Sequence, residues 1–300
     1  MNHLFQKEPL RDQIVAAFDK MPSQLRQAAR YILEHPDEVP LVSMRELSRL
    51  AGVQPATMTR LAKFLGLPGF ENLRASYAVA LRSRADGLSA RALRTTGQAT
   101  GVEGIAVRMM QGLSSQIARL SEPDTLVRMQ VVADRLARAR RVFVLGLRSC
   151  HLVAWHFSYV TTLLGEQTVH LDGPAGTSGD GLMRAEPGDV MLVISIDPYS
   201  RQTLELTELA RAKGVTIVTI TDSEVSPLVA LSEHAIFCAT ESQGFFHTLV
   251  PLLAVSEVLC ALLAGRNRAK AVASLQNADK QLLELNTYVN ERTRSYLPKP

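Results

Sequence analysis

The chain has 300 residues, of which 46% are hydrophobic, and a formal net charge of +4. This size suggests roughly two domains with ordinary cores, and no apolar run reaches the roughly 20 residues of a membrane span. The N-terminus MNHLFQKEPLRDQ lacks the apolar core of a signal peptide, so we expect a cytoplasmic protein without a membrane partner. Cys150, Cys238 and Cys260 have no metal-type spacing and the histidines form no ligand motif, so we expect reduced core cysteines, no metal and no cofactor.

Residues 10 to 35 contain two helical stretches that are separated at Pro22-Ser23. Their apolar residues are Ile14, Val15 and Phe18 in the first, and Leu25, Ala28, Ala29, Ile32 and Leu33 in the second. We expect these helices to form the scaffold beneath the motif that follows. A further helix, from about Phe70 to Arg82, is expected to close a small all-α domain over residues 1 to 84.

Residues 43 to 65, SMRELSRLAGVQPATMTRLAKFL, predict two short helices joined by a glycine turn. Ser43 and Glu46 have the spacing of a capping box, and Pro55 suits the first turn of the second helix. The residues expected to face inward are Met44, Leu47 and Leu50 in the first helix, and Met58, Leu61, Ala62 and Leu65 in the second. The opposite arc of the second helix carries residue types that bind the major groove, so the pattern is typical of a DNA-reading helix-turn-helix.

Positive charge is concentrated around this motif, with seven Lys and Arg against two Asp and Glu in residues 45 to 84. A local cationic patch favours double-stranded DNA as the partner, whereas an ordinary helical hairpin with solvated charges is the alternative. The predicted DNA-binding residues are Arg45, Gln54, Ala56, Thr57, Thr59, Arg60, Lys63 and Arg74. Further candidates for phosphate contacts are Arg49, Arg82 and Arg84.

Residues 85 to 104 are rich in Gly, Ser, Thr, Ala and Arg and predict a linker to a second domain over residues 105 to 300. That domain is expected to begin with two helices, near Gly104 to Leu120 and Asp124 to Ala139. Five β-rich runs then alternate with helical stretches: RVFVLGL, QTVHL, DVMLVISI, VTIVTI and AIFCA. This alternation predicts a five-stranded parallel sheet that is covered on both faces.

Two loops at the carboxyl ends of the first and third predicted strands offer hydroxyl groups and an arginine each, which suits an anionic ligand. The predicted ligand-binding residues are Gly146, Arg148, Ser149, Ser195, Asp197, Tyr199, Ser200, Arg201 and Thr203. As alternatives, the serines are simple helix caps, and residues 171 to 177 are either a flap or a plain turn. His247 either faces this cleft or is a packed or solvated histidine. A single glycine makes no dinucleotide fingerprint, so NAD is not expected.

The segment from Glu46 to Arg74 resembles the helix-turn-helix of the RpiR/MurR family of bacterial transcription factors, with its A-G-V turn, A-T-x-x-R reading helix and L-G-x-x-G-F-x-x-L-R continuation. The C-terminal part is similar to the sugar isomerase (SIS) domain. Gly146, Ser149 and Ala154 match its G-x-x-S-x-x-x-x-A loop, and Thr219 to Leu228 matches its T-D-x-x-x-S-P-L segment. The resemblance implies a regulator that binds a DNA operator as a homo-dimer or tetramer and senses a small-molecule effector, commonly a phosphorylated sugar.

The chain departs from the family pattern at Gln54, which replaces a capping serine, and in the second loop, which has Asp197, Pro198 and Ser200 where S-x-S-G-x-T is usual. An aspartate repels a phosphate and proline lacks an N–H donor, although Arg148 and Arg201 offer compensating positive charge. An acyclic sugar acid, or another small carboxylate or polyol, therefore stays open as the effector. The competing hypothesis is a sugar-phosphate aldose-ketose isomerase. Its candidate bases are Glu241, His247 and Glu257. We expect the chain not to be an enzyme.

Overall fold

The computed structural model describes residues 10–36, 38–85, 88–89, 92, 101–173 and 177–288. These residues fall into two compact units, one N-terminal and one C-terminal, which are described in turn.

The N-terminal unit is entirely helical. Its helices are α1 (Leu10–Ala17), α2 (Ser23–Glu34), α3 (Met44–Leu50), α4 (Pro55–Phe64) and α5 (Phe70–Ala85), with a 3-10 turn at Phe18–Lys20. Ile32 of α2, Leu47 of α3 and Leu61 of α4 are fully buried in one hydrophobic cluster. The expectation that the first helices pack as a scaffold for the helix-turn-helix is therefore confirmed.

The turn between α3 and α4 is held by a glycine and by a side chain from the scaffold. Gly52 has a φ of +66°, a left-handed conformation that side chains rarely adopt. The Gln27 amide of α2 donates a hydrogen bond to the Ala51 carbonyl at 3.0 Å. The two helices of the motif are thus joined by a turn that α2 fixes in place.

Two details at α3 differ from expectation. The Glu46 N–H donates to Ser43 Oγ at 3.2 Å, but the Glu46 carboxylate pairs with Arg49, so only half of the capping box forms. Leu50 was expected to be buried and is 39% exposed. Because α3 ends there, the chain turns inward one residue later and Ala51 takes the buried position.

The C-terminal unit contains the parallel sheet that the sequence predicts. Its strands are β1 (Val142–Gly146), β2 (Thr168–His170), β3 (Val190–Ile194), β4 (Thr216–Thr221) and β5 (His234–Phe237), in the order β2-β1-β3-β4-β5. All pairs are parallel. Its α-helices are α6 (Gly101–Arg119), α7 (Pro123–Ala137), α8 (His151–Leu163), α9 (Arg201–Ala212), α10 (Val250–Arg266) and α11 (Arg268–Glu284).

Both faces of this sheet are covered. Val142 and Val144 of β1 belong to one hydrophobic cluster, whereas Phe143 and Leu145 belong to another. Successive side chains of a strand point to opposite faces, so the two clusters are the two buried sides of the sheet. The predicted five-stranded sheet between two helical layers is confirmed.

The predicted linker over residues 85 to 104 only partly coincides with the structure. Helix α5 continues to Ala85, and α6 already starts at Gly101, so the last four residues of the predicted linker are helical. Gly101 and Gly104 belong to the composition from which the linker is predicted. Glycine costs about 1 kcal/mol in a helix relative to alanine, which a long amphipathic helix such as α6 tolerates. Between the two helices, only residues 88, 89 and 92 are described.

Candidate functional site

Helix α4 presents an exposed cationic face on the side opposite to its buried residues. Ala56, Arg60 and Lys63 are exposed, while Met58 and Leu61 are fully buried. An Arg60 Nη atom donates to the Thr57 hydroxyl at 3.3 Å, which limits the directions that the guanidinium can take. This arrangement matches the face predicted for major-groove contact.

Two threonines of the predicted DNA-binding set are engaged within the fold. Thr57 was predicted to contact DNA, yet only 1% of its surface is exposed, because it lies one helical turn before the buried Leu61. Its hydroxyl supports Arg60 instead. Thr59 is half-buried, and its hydroxyl donates to the Met44 sulfur at 3.5 Å. The exposed surface of α4 is therefore smaller than the sequence suggested.

The arginines around α4 differ in how far their charges are neutralised. Arg49 pairs with Glu46 at 2.6 Å, and Arg74 pairs with Glu71 at 3.2 Å. By contrast, Arg45, Arg60 and Lys63 form no ion pair with any residue that the structure describes. These three unpaired cations are the strongest candidates for contacts with DNA phosphates or bases.

Three further residues are predicted to contact DNA: Gln54 at the start of α4, and Arg82 and Arg84 in α5. Gln54 is the exposed N-cap residue of α4, and its side chain makes no capping hydrogen bond, as expected from its poor capping ability. Arg82 and Arg84 fall within α5, but their side chains lie outside the described part of the chain.

A second candidate site lies at the carboxyl edge of the sheet, where the loops after β1 and β3 leave adjacent strands. Gly146 at the end of β1 is paired with Ile194 at the end of β3. The two loops therefore start side by side, which is the usual position of ligands in parallel sheets. A Cβ atom on Gly146 would lie 2.7 Å from the Cys150 carbonyl oxygen and 2.8 Å from the Ala154 Cβ. Only glycine lets α8 approach β1 this closely.

Gly146→Ala is expected to lower the free energy of unfolding by about 1–3 kcal/mol, because the added methyl group would overpack the contact with α8. Chemical denaturation measures this difference. Gly112→Ala is the matched control, since a Cβ there meets no atom within 4 Å and alanine favours the helix. Equal stability of wild type and Gly146→Ala would contradict the close approach.

The loop after β1 brings a serine and a histidine together. Ser149 Oγ lies 2.9 Å from His247 Nε2, and both residues are half-buried. The contact of His247 with a residue of this loop agrees with the interpretation that the histidine faces the cleft. Arg148 is exposed and has a φ of +58°, so the backbone turns sharply before α8. The loop therefore contributes one hydroxyl and one guanidinium near the start of α8, and His247, from the segment before α10, contributes an imidazole.

The loop after β3 leads into α9. Ser200 is the N-cap residue of this helix, but its side chain makes no capping hydrogen bond, which argues against the simple helix-cap interpretation. Ser195 and Thr203 are buried, and the Thr203 hydroxyl has no hydrogen-bond partner among the described residues. Ser200 is therefore the more accessible hydroxyl of this loop.

An aspartate outside the predicted ligand set organises this loop. Asp222, which follows β4, accepts hydrogen bonds from the Tyr199 hydroxyl at 2.8 Å, the Thr221 hydroxyl at 3.2 Å and the Asp197 N–H at 3.5 Å. Tyr199 was expected to donate to the ligand, but its hydroxyl already donates a hydrogen bond to Asp222. Burial and the Asp222 carboxylate raise the pKa of Tyr199 far above its ordinary value, so this donor stays protonated. An aspartate directly after a buried strand is the signal that would have indicated Asp222.

The charges at this edge are of both signs. Asp197 is exposed and Asp222 is half-buried, whereas Arg148 and Arg201 are exposed. Neither arginine forms an ion pair with a residue in the described ranges. The edge can therefore bind a ligand that carries both an anionic group, for the arginines, and hydroxyl groups, for the carboxylates.

The three residues that could serve as the base of an isomerase do not all contact the two loops of this site. Glu241 and Glu257 are both exposed, and neither side chain forms a hydrogen bond with a described residue of the two loops. His247 alone among the three candidates contacts a loop residue.

The cysteines lie in the core, as predicted. All three are buried free thiols, and burial raises the pKa of Cys150 to about 11, so their interpretation as core residues is confirmed.

Residues 174 to 176 of the possible flap lie outside the described part. Within the described ranges, no single helix is long and apolar enough to span a membrane, and α10 with α11 meets that test only as a pair bent by 110°.

Comparison with known families matches both units. A family model described as "Helix-turn-helix domain, rpiR family" matches residues 9–84, and the SIS domain model matches residues 135–262. Among curated proteins, an uncharacterised HTH-type transcriptional regulator of Caldanaerobacter subterraneus is 26% identical over 87% of this chain and 92% of its own. The HTH-type transcriptional regulator HexR of Pseudomonas aeruginosa is 25% identical over 74% of this chain and 76% of its own.

Two solved structures share the architecture. The sugar isomerase domain of an RpiR transcription factor from Sphaerobacter thermophilus has a TM-score of 0.54 at 26% identity, and it covers 59% of this chain and 98% of its own. NanR of Vibrio vulnificus, solved in complex with ManNAc-6P, has a TM-score of 0.52 at 21% identity, and it covers 94% of this chain and all of its own. At that identity, the second similarity shows a common fold only.

Proposed function

Because the chain joins an rpiR-family helix-turn-helix domain to a SIS domain, it belongs to the RpiR family of transcriptional regulators, and we propose that a small carbohydrate-derived anion binds its SIS domain and thereby controls a catabolic operon. The observation that carries the effector part of this proposal is the pairing of Gly146 with Ile194, which starts both polar loops at one edge of the sheet.

The proposed effector site uses the two loops in different ways. Ser149 and Arg148 of the first loop, together with His247 from the segment before α10, offer donors and positive charge for an anionic group. On the second, Asp197 adds an exposed carboxylate, and Ser200 adds a hydroxyl. A carboxylate accepts hydrogen bonds from ligand hydroxyls but repels a phosphate. This pattern favours a sugar acid over a phosphosugar, although NanR, which shares the fold, is complexed with a phosphosugar.

The DNA-reading part of the proposal rests on α4. Its exposed, unpaired cations suit the major groove, and we place the boundary between the reading domain and the effector domain within residues 85 to 104. Two relatives that are named transcriptional regulators support this over an isomerase. Neither Glu241 nor Glu257 forms a side-chain hydrogen bond with a described residue of the two loops, which also weakens the isomerase alternative.

Selection of binding sites from a random pool of duplex DNA tests this function. The full chain is expected to enrich two copies of one short half-site in inverted orientation, because a homo-oligomer presents its reading helices as symmetric pairs. The affinity should fall steeply between about 50 and 200 mM salt, since bound lysines and arginines release counterions. A pool without enrichment, or an affinity that does not depend on salt, would argue against a DNA-reading function.

Asp197→Ser is expected to shift the effector preference toward phosphorylated ligands by about five- to tenfold, because it removes one like charge, a change on the order of 1 kcal/mol. Calorimetric titration with a hexonate and its phosphate ester, compared with wild type, measures the shift. Asp124→Ser, which removes an exposed carboxylate from the first turn of α7, is the matched control. An unchanged ratio of the two affinities would place Asp197 outside the site.

A further inference from the structure

Helix α6 carries an amide at its one buried position. Gln116 is 7% exposed, and it is the only buried residue among residues 104 to 119, the part of α6 whose side chains the structure describes. Its Nε2 atom donates a hydrogen bond to the Glu241 carbonyl at 2.8 Å, but its Oε1 atom is buried without a hydrogen-bond partner among the described residues. A buried polar atom without a partner destabilises a fold, and a methionine of similar size would avoid that cost. Packing alone therefore does not explain Gln116.

The loop that this amide holds also carries the histidine of the proposed effector site. It runs between β5 and α10, and we call its residues 241 to 247 the bridging loop. The Thr248 N–H donates to the Thr240 carbonyl at 3.0 Å and closes the loop at its base. The bond from α6 holds the first residue of the bridging loop, whereas His247, its last residue, contacts Ser149 at 2.9 Å. The bridging loop therefore connects α6 with the loop after β1.

The place of α6 in the chain gives this connection a consequence. Helix α6 begins at Gly101, within the predicted linker, so the chain leaves the linker through this helix. At about 1.5 Å per residue, Gln116 lies about 22 Å further along the same helix. Rigid helices and hydrogen bonds carry coupling between distant sites. A displacement that reaches Gln116 can therefore be passed along α6 to the linker.

We propose that Gln116 is a positioning residue that couples the effector site to α6. An effector that binds between the loops after β1 and β3 shifts His247, and the bridging loop moves with this histidine. The bond between Gln116 and the Glu241 carbonyl then passes the displacement to α6. This inference rests on the proposed function, because it needs an effector at that edge of the sheet.

The half-paired amide suits this coupling because it allows two discrete arrangements. An amide side chain both donates and accepts hydrogen bonds. In this structure, Nε2 of Gln116 holds a carbonyl of the bridging loop, while Oε1 has no partner among the described residues. A shift of the loop that brings one of its N–H groups to Oε1 would replace the first bond with the second. Two sites become coupled when both of them bias an element of this kind.

Gln116→Met tests the coupling, because methionine keeps the length of the side chain and removes its hydrogen bonds. The affinity of the full chain for the selected operator is measured with and without a saturating hexonate or its phosphate ester. We expect the ratio of the two affinities to fall at least about fivefold in Gln116→Met, the equivalent of one ordinary hydrogen bond. Operator affinity without the ligand should stay within about threefold of wild type. Glu241→Ala is the matched control, since it removes an exposed carboxylate at the same contact and keeps the carbonyl that Gln116 binds.

A Gln116→Met protein that keeps the wild-type ratio, even with a changed midpoint of unfolding, would overturn the proposal, since Gln116 would then be structural only. A wild type that binds the ligand without any change in operator affinity would instead refute the proposed function.

Hydrogen exchange of the wild type with and without operator makes the test without a variant or a ligand, because coupling is reciprocal. The operator should change amide exchange in the bridging loop and in α6 around Gln116, with α11 as the unaffected reference. Exchange in the bridging loop that the operator leaves unchanged would overturn the proposal.

Discussion

Replacing Arg60 with alanine is expected to weaken binding to the operator by about 1–3 kcal/mol and to relax the base preference at one position of each half-site. Arg60 is exposed on α4, forms no ion pair with a described residue, and is oriented by the buried Thr57 hydroxyl. A guanidinium whose directions are limited in this way can form two hydrogen bonds with guanine. The loss should therefore be larger on the operator than on unrelated DNA.

Titrations of operator and scrambled duplex at one salt concentration measure this effect. Arg26→Ala is the matched control, because it removes the same charge from an exposed position on the scaffold helix α2. Arg45→Ala or Lys63→Ala should weaken both duplexes alike if those residues contact phosphates only. A loss that is equal on both duplexes for Arg60→Ala would rule out base reading by this residue.

The double substitution Ser149→Ala and Ser200→Ala is expected to abolish the response to the effector while leaving operator affinity within twofold of wild type, about 0.4 kcal/mol. These two hydroxyls come from the two loops that start at paired positions of β1 and β3. Neither hydroxyl caps a helix, so their removal should not disturb the fold. Release of operator DNA by the effector is the quantity to follow.

Ser121→Ala, at an exposed position before α7, controls for loss of a surface hydroxyl. His247→Gln should weaken the response as well, because it changes the partner of Ser149. An effector affinity that stays unchanged in the double mutant would show that the effector does not bind at these two loops.

Local sequence patterns were enough to predict most of the helices and strands. The five β-rich runs correspond to the five strands, and the positions of α2, α4 and α5 follow from periodicity and from Pro22 and Pro55. A strand buried on both faces needs a continuous apolar run, and the middle of this sheet consists of such runs. The sequence also predicted that the loops after β1 and β3 lie next to each other, because neighbouring parallel strands end at the same edge of a sheet.

The details that differed depend on contacts between distant segments. Thr57 is buried because it lies one turn before Leu61, and Leu50 is exposed because α3 ends there and Ala51 takes the buried position. The bond between Tyr199 and Asp222 joins residues from two loops, and no local pattern indicates it. Periodicity gives the face of a helix to within one residue, whereas hydrogen bonds of this kind depend on the tertiary fold.

The coupling between effector and operator is the measurement that tests the central claim most directly. Operator affinity is determined with and without saturating effector, and effector affinity is determined with and without operator, all on the full chain. A ligand-responsive regulator requires the two ratios to be equal, because linkage is reciprocal, and we expect a change of about 5- to 150-fold in each. An effector that binds between the loops after β1 and β3 yet leaves operator affinity unchanged would contradict the account.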